Sequence, residues 1–312
     1  MSDGMSGAMN TQSNAGPESP FEAKVIASRS LPSAQLLYWS IRRELWENRS
    51  IFIAPLAVAG VALFGFCLSS FVGIWEPPLR LNSAHLRTPF DMAAGLMMLT
   101  SIVLSVFYCL DALHSERRDR SIFFWKSMPV SDLTTVLAKA SIPLFVLPLI
   151  VVTVTLAMQW IMLLFSSVVV RASRMSAGEL WNLSIIQMWL LLLYHFATAH
   201  VLWPYPVYCW LLLVSGWAKR AVFLWAALPV LVIGGFERMM FHTFHFAEIV
   251  GGHLIGNAPI ADMAAGGMGL DPHTTHVTVG RFISSPGLWI GLALSAMFLA
   301  AAVHLRRYQG PI

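Results

Sequence analysis

The sequence predicts an all-α polytopic membrane protein with six transmembrane helices. Hydrophobic residues make up 57% of the 312 residues and charged residues only 12%, whereas about 25% of a typical soluble domain is charged. The apolar residues form long runs, and about twenty such residues are enough for an α-helix to cross a bilayer. The net charge of +4 is too small to indicate a nucleic-acid partner. The three cysteines lie in apolar runs without metal or disulfide spacing and are predicted to be small buried residues.

Residues 1–30 are predicted to form a disordered cytosolic tail, and residues 31–312 the transmembrane domain. The tail is rich in Ser, Gly, Asn and Pro and lacks the basic-then-apolar order of a cleavable signal peptide. Ser33 to Arg49 then shows helical periodicity and is predicted to be an amphipathic helix lying on the membrane surface. Its apolar face consists of Leu37, Tyr38, Ile41 and Leu45. Its polar face consists of Ser40, Arg43, Glu44 and Glu47. The apolar face is flanked by Trp39 and Trp46.

Six apolar regions follow, each predicted to cross the membrane once. They cover about residues 51–75, 91–110, 140–169, 183–217, 221–240 and 287–303. The fourth region is too long for one upright helix and too short for two, and Pro204 and Pro206 are predicted to break it. Because Lys219 and Arg220 are expected in the cytosol, we predict one kinked crossing there. With both termini cytosolic, fourteen of the 20 basic residues lie inside, as the positive-inside rule requires.

The longest charged interruption of this apolar sequence is the connection between the second and third predicted spans. Charged residues flank a block of aromatic residues there, and both arginines and aromatic residues anchor protein interfaces. The second span is predicted to continue as a helix, with Glu116 and Arg120 paired at i,i+4. Pro129 is predicted to end the short helix 121–128. Ser131 is then predicted to cap the next helix, with Asp132 in its first turn. A solvated loop is the alternative interpretation.

The run LDALHSERRDRSIFFWKSMPVSDLTTVLAKA, residues 110–140, resembles the signature loop of ABC-2-type permeases. These are the membrane subunits of a class of ATP-binding-cassette exporters, and in them this stretch forms a cytosolic coupling helix that sits on the ATPase. The resemblance implies a second permease protomer, two ATPase subunits and a substrate path between the protomers. The residues that it implies as ATPase contacts are Glu116, Arg117, Arg118, Asp119, Arg120, Phe124, Trp125, Lys126 and Asp132.

ATP and Mg²⁺ would be held by the partner subunit, and no cofactor is predicted in this chain. The sequence has no GxxxxGK[ST] phosphate-binding loop, so hydrolysis by that route needs another polypeptide. The chain is therefore predicted to be a transport subunit of the bacterial inner membrane rather than an enzyme. A membrane anchor that recruits the ATPase without transporting anything is a further alternative.

The segment after the fifth span, residues 241–286, supports a rival interpretation as a membrane-embedded, metal-dependent enzyme. His242 and His245 could face the same way on a helix, and histidine is a common metal ligand. No acidic residue joins them in a recognised motif, so water-accessible histidines at the outer membrane surface are favoured. Glycine-rich backbone in this segment indicates short re-entrant helices, with a disordered loop as the alternative. Glu237 and Arg238 are expected to reach the outer membrane surface from the end of the fifth span.

Overall fold

The computed structural model describes residues 32–75, 83–121, 130–172, 189–190, 192–194, 196–255 and 284–308. Within these ranges every regular element is helical, which confirms the all-α class. The α-helices are α1 Ser33–Glu47, α2 Ser50–Trp75, α3 Ser83–Ala112, α4 His114–Arg118, α5 Asp132–Ser141, α6 Leu147–Ala172, α7 Tyr205–Trp217, α8 Val222–Phe241, α9 His245–Ile255 and α10 Pro286–Tyr308. Short π-helical segments, Ile142–Val146 and Phe196–Leu202, precede α6 and α7 respectively.

Five stretches of the described residues are long and apolar enough to cross a membrane. They are Ser50–Ser70, Thr88–Arg118, Asp132–Val168, Val222–Phe241 and Pro286–Tyr308. The second stretch joins α3 to α4, and the third joins α5 to α6 through a π-helical segment. The chain is therefore a multi-pass helical protein, as its composition predicts.

The fourth predicted region is only partly within the described residues. Its described end consists of a π-helical segment, a bend at Trp203 and Pro204, and the 13-residue helix α7. Pro206 lies in the first turn of α7, where its missing N–H costs nothing. The predicted break at the two prolines is thus confirmed. Eight residues of α7 are buried, among them Tyr208 and Leu212, so this helix lies in the interior of the bundle.

Helices α2, α3, α6, α7, α8 and α10 follow one another along the chain in alternating directions between two ends of the bundle. At one end, Phe90 near the start of α3 packs on Phe66 in the second half of α2, with ring centroids 6.3 Å apart. Its backbone carbonyl accepts a hydrogen bond from Gln159 Nε2 of α6 at 3.4 Å. The opposite end holds α1, α4, the start of α5 and the last residues of α7 and α10, and we name it the α4 end. Each end has its own buried apolar cluster, around Met97 and Leu147 at the first end and around Leu113 and Val136 at the α4 end.

Helix α9 occupies the first part of the segment for which re-entrant helices are predicted. It follows α8 directly and packs back on the bundle, where the His253 ring stacks on Trp203 with centroids 4.9 Å apart. Residues 256–283, which complete the segment, lie outside the described residues. The start of the segment is thus a packed helix, and the re-entrant path of the segment stays a prediction.

Helix α1, predicted to lie on the membrane surface, packs against the bundle, and a residue of its predicted polar face is buried there. Glu44, assigned to the polar outer face, is only 1% exposed, whereas Tyr38 and Trp46 are 58% and 71% exposed. Ile41 and Leu45 do pack against the apolar cluster of the α4 end, as their spacing predicts. The prediction for Glu44 is wrong because a buried lysine of α5 lies opposite this position and binds its carboxylate.

Candidate functional site

Six charged side chains from four helices form one network at the α4 end, of which Glu44, Glu116, Lys139 and Arg306 are buried and two are partly buried. Its acids and bases are equal in number, so that their formal charges cancel. Helix α1 contributes Arg43 and Glu44, and α4 contributes Glu116. Helix α5 contributes Asp132 and Lys139, and α10 contributes Arg306. Because the four helices are distant in sequence, the network exists only when the whole fold is assembled.

Glu116 lies at the centre of the network. One of its carboxylate oxygens is 3.4 Å from Arg43 Nη2 and 3.2 Å from Lys139 Nζ. The other oxygen accepts a hydrogen bond from Arg306 Nη1. Glu116 is buried and receives cations from α1, α5 and α10, so a single carboxylate ties three helices to α4.

Glu44 holds α1 to the same point. Its carboxylate lies 2.9 Å from Lys139 Nζ and 2.7 Å from Arg43 Nη2, and it accepts a hydrogen bond of 3.0 Å from the Tyr108 hydroxyl. Burial acts to raise the pKa of Glu44, but the charges and hydrogen bonds of Lys139 and Arg43 more than offset it. The pKa of Glu44 therefore lies below its usual value of 4.5, and the carboxylate is ionised at neutral pH.

Asp132 and Arg306 join the start of α5 to the end of α10. Arg306 Nε lies 3.1 Å from Asp132 Oδ1, while the same guanidinium binds Glu116. The Ser131 hydroxyl accepts a hydrogen bond of 3.1 Å from the Thr134 N–H, which confirms the predicted cap of α5. Asp132 also lies in the first turn of α5, where a negative charge is favoured by the helix dipole.

A second set of contacts joins α4 to the end of the buried helix α7. Arg117 Nη1 donates a hydrogen bond of 2.5 Å to the Gly216 carbonyl, and His114 Nδ1 lies 3.2 Å from the Ala218 carbonyl oxygen. The Leu113 N–H is 3.4 Å from Ser215 Oγ. The last carbonyls of a helix have no partner within it. Side chains of α4 thus satisfy the terminal carbonyls of α7 and fix the two helices together.

The predicted ATPase contacts fall into three groups. Glu116 and Arg117 are buried and hydrogen-bonded within the protein, and partly buried Asp132 binds Arg306. Arg118, Asp119 and Arg120 are exposed, and the ion pair of 3.2 Å between Arg118 and Asp119 is open to solvent. Phe124, Trp125 and Lys126 lie outside the described residues.

The predicted i,i+4 pair between Glu116 and Arg120 is wrong. Helix α4 ends at Arg118, and Arg120 has a left-handed backbone with φ of 57°. Arg120 is therefore no longer one helical turn above Glu116. The carboxylate is bound instead by cations from three other helices, which lie closer because the chain packs them around it.

At the other end of the bundle, Glu237 has a structural role. Its carboxylate accepts hydrogen bonds of 2.8 Å from the Thr243 hydroxyl and from the backbone N–H groups of His245 and Phe246. It thereby caps the start of α9. Arg238 donates a hydrogen bond of 3.0 Å to the His242 carbonyl. Among the described residues no three histidine, cysteine or acidic side chains are grouped as a metal would require; His242 and His245 remain the weak alternative.

Sequence reasoning missed four residues of the network: Arg43, Glu44, Lys139 and Arg306. Lys139 and Arg306 were expected to be ordinary cytosolic basic residues next to spans, because hydropathy patterns do not reveal a distant acidic partner. A signal was present in α1. Glu44 follows Ile41 by three positions and precedes Leu45, so helical spacing places it on the same inward face.

Comparison with known proteins adds no family assignment. No family model matches the sequence, and no curated protein and no solved structure is significantly similar to it. The resemblance of residues 110–140 to the ABC-2-type loop therefore stays a prediction.

Proposed function

We propose that the chain is the permease subunit of an ABC-2-type exporter of the bacterial inner membrane. A separate ATP-binding subunit docks at the α4 end, and a second permease protomer completes the substrate path. The observation that carries this proposal is the buried network that ties α4 to α1, α5 and α10. Such ties would pass a displacement of α4 to three other helices, which is what a segment that receives force requires.

We divide the predicted ATPase contacts into residues that dock the partner and residues that transmit its movement. Arg118, Asp119 and Arg120 are exposed and available to a partner. Glu116 and Arg117 are engaged internally, so we assign them to transmission rather than docking. When the ATPase closes on ATP, the displacement of α4 would pass through Glu116 to α5 and α10 and through Arg117 to α7. ATP thereby favours one of two arrangements of the bundle, as any ligand must if it drives a transition.

We assign the α4 end to the cytosol. Lys219 and Arg220 follow Ala218 there, and Arg306 and Arg307 end α10 at the same place. This accumulation of basic residues is typical of the cytosolic side. The alternating helix directions support six crossings, in which the fourth region returns the chain to the cytosol through α7. Both termini would then be cytosolic.

The test is co-purification with a candidate ATP-binding subunit, sought first among the neighbouring genes, followed by measurement of ATP turnover in proteoliposomes. Arg118→Ala/Arg120→Ala is expected to weaken the complex by at least about tenfold, since arginines are frequent interface anchors. Glu116→Gln is expected to leave the complex intact and to uncouple ATP turnover from transport. Lys219→Ala/Arg220→Ala removes the same charge at the same end from a different connection, and is the matched control.

The outcomes separate the candidate functions. Equal weakening by both double variants would refute the docking assignment and indicate a general electrostatic effect. A stable complex whose ATP turnover never responds to the permease or to any substrate would favour the non-transporting anchor. Failure to bind an ATPase, together with stoichiometric metal in the purified protein, would favour the metal-dependent enzyme.

A further inference from the structure

Helix α1 carries an exposed clamp of two tryptophans around one arginine. The Arg42 guanidinium carbon lies 5.1 Å from the ring centroid of Trp39 and 5.1 Å from that of Trp46. The two rings are 54% and 71% exposed, and Tyr38 extends the patch by an edge-to-face contact with Trp39. The three clamp residues are spaced three and four apart, so they share one side of the helix.

The geometry leaves a defined part of the guanidinium available. Cation–π attraction holds the guanidinium over the faces of both indole rings, and its N–H groups that do not point at a ring remain available as donors. Within the described ranges, Arg42 forms no ion pair with a carboxylate, in contrast to neighbouring Arg43, which binds Glu44. The edge of a guanidinium is a two-pronged donor that matches the oxygens of a phosphate group.

The position of α1 decides which phosphate can reach the clamp. The helix ends at Glu47, and the membrane-crossing helix α2 begins at Ser50. The opposite face of α1 is held against α5 by Glu44 and Lys139, so the helix cannot turn the clamp away. Tryptophan and arginine are both favoured at the depth of lipid headgroups. The exposed face of α1 therefore lies where phospholipid phosphates are.

We propose that Trp39, Arg42 and Trp46 form a binding site for the phosphate of an anionic phospholipid headgroup. The guanidinium edge binds the phosphate oxygens, and the two indoles hold the guanidinium flat and pack against the glycerol and upper acyl region. This assignment requires only that the chain lies in a membrane, and it is independent of the proposed transport function. Because Arg43 and Glu44 follow directly on the same helix, an occupied clamp would also hold α1 in place against the buried network.

The test uses full-length protein in neutral detergent with equal amounts of phosphatidylglycerol and phosphatidylcholine, and native mass spectrometry to quantify retained lipid. Wild-type protein is expected to retain phosphatidylglycerol preferentially. Arg42→Gln is expected to lower the retention of phosphatidylglycerol by more than about fivefold, which is the factor that one basic residue contributes at an anionic surface. Arg42→Lys is expected to lower retention to a similar extent as Arg42→Gln, because an ammonium group has no planar fork of donors. Trp46→Leu keeps the charge and is expected to lower retention as well.

Arg49→Gln is the matched control, since Arg49 is exposed, lies between α1 and α2, and is outside the clamp. The Arg49→Gln variant is expected to lower the retention of phosphatidylglycerol by no more than about fivefold. Equal losses for Arg42→Gln and Arg49→Gln, or unchanged retention by Arg42→Lys, would overturn the proposal in favour of diffuse surface attraction. Displacement of the lipid by excess inorganic phosphate would overturn the choice of a lipid ligand. Circular dichroism and gel filtration establish that each variant is folded.

Discussion

Replacing Glu44 by Gln tests the buried network most directly. Glu44 is 1% exposed, and its carboxylate binds Lys139, Arg43 and the Tyr108 hydroxyl. The variant preserves the shape of the side chain but removes one negative charge, which leaves three cations with two acids. Removing one partner of a buried ion pair costs about 3–5 kcal/mol. Lys139 keeps Glu116 at 3.2 Å, so we expect a loss at the lower end, about 3 kcal/mol in the free energy of unfolding.

The companion variant Lys139→Met turns this into a double-mutant cycle. Alone, it leaves Glu44 and Glu116 with two arginines between them, and we expect a loss of about 3 kcal/mol. Combined with Glu44→Gln it restores the balance of charge, with two acids and two cations. The loss of stability in the double variant should therefore be smaller than the sum of the single losses by roughly 0.5–3 kcal/mol, the range measured for directly coupled residues.

Unfolding is measured by titration with a denaturing detergent in mixed micelles, followed by circular dichroism. Glu47→Gln is the control, because this side chain is on the same helix but half exposed, and its ion pair with Arg43 is open to water. We expect it to change the free energy of unfolding by less than about 1 kcal/mol. Strictly additive losses in the double variant would refute the coupling of Glu44 and Lys139, and with it the reasoning that the network acts as a unit.

Two further predictions concern pH and packing. The pKa of Glu44 is lowered below 4.5 in the folded protein, so its ionised carboxylate stabilises the fold above pH 4.5. This contribution is lost as the pH falls through the folded pKa. The unfolding midpoint of Glu44→Gln should therefore depend less on pH in that acidic range than the midpoint of the wild-type protein does. A Cβ at Gly291 of α10 would lie 2.9 Å from Cγ of Pro206 in α7, so Gly291→Ala should destabilise the bundle by about 1–3 kcal/mol in the same assay. Gly60→Ala is its control, with open space around the added methyl and an expected change between zero and a gain of about 1 kcal/mol; equal effects of the two alanines would contradict the packing argument.

The features that the sequence predicted correctly are local. An apolar run of sufficient length specifies a helix by itself, so α2 and α8 begin and end within one residue of their predicted limits, whereas α10 ends five residues beyond its predicted limit. The cap at Ser131 depends on one side chain and a backbone N–H three residues away. The break before α7 follows from Pro204 and Pro206 alone. Each of these outcomes is determined within one continuous stretch of the sequence.

The network could not be predicted in the same way because its pairs are far apart in sequence. Lys139 and Glu44 are separated by 95 residues, and Arg306 and Glu116 by 190. A basic residue beside a span has the same local pattern whether it reaches water or a buried carboxylate. The amphipathic pattern of α1 was misread for a related reason. A polar face normally indicates solvent, but a face with complementary charges can also pack against the protein.

We infer that the buried ion pairs of this protein fix the positions of the helices more than they add to stability. Their mutual attraction is largely cancelled by the cost of removing both charges from water. An apolar contact between α4 and α10 could shift by an ångström at small cost. A desolvated carboxylate bound by Arg306 and Lys139 has no equivalent position one ångström away, since any displacement leaves a charge unpaired in a medium of low dielectric constant. In the proposed transporter, α4 therefore cannot move alone. Its displacement has to carry α5 and α10 with it through Glu116, and α7 through Arg117, which is the property required of the element that receives force from an ATPase.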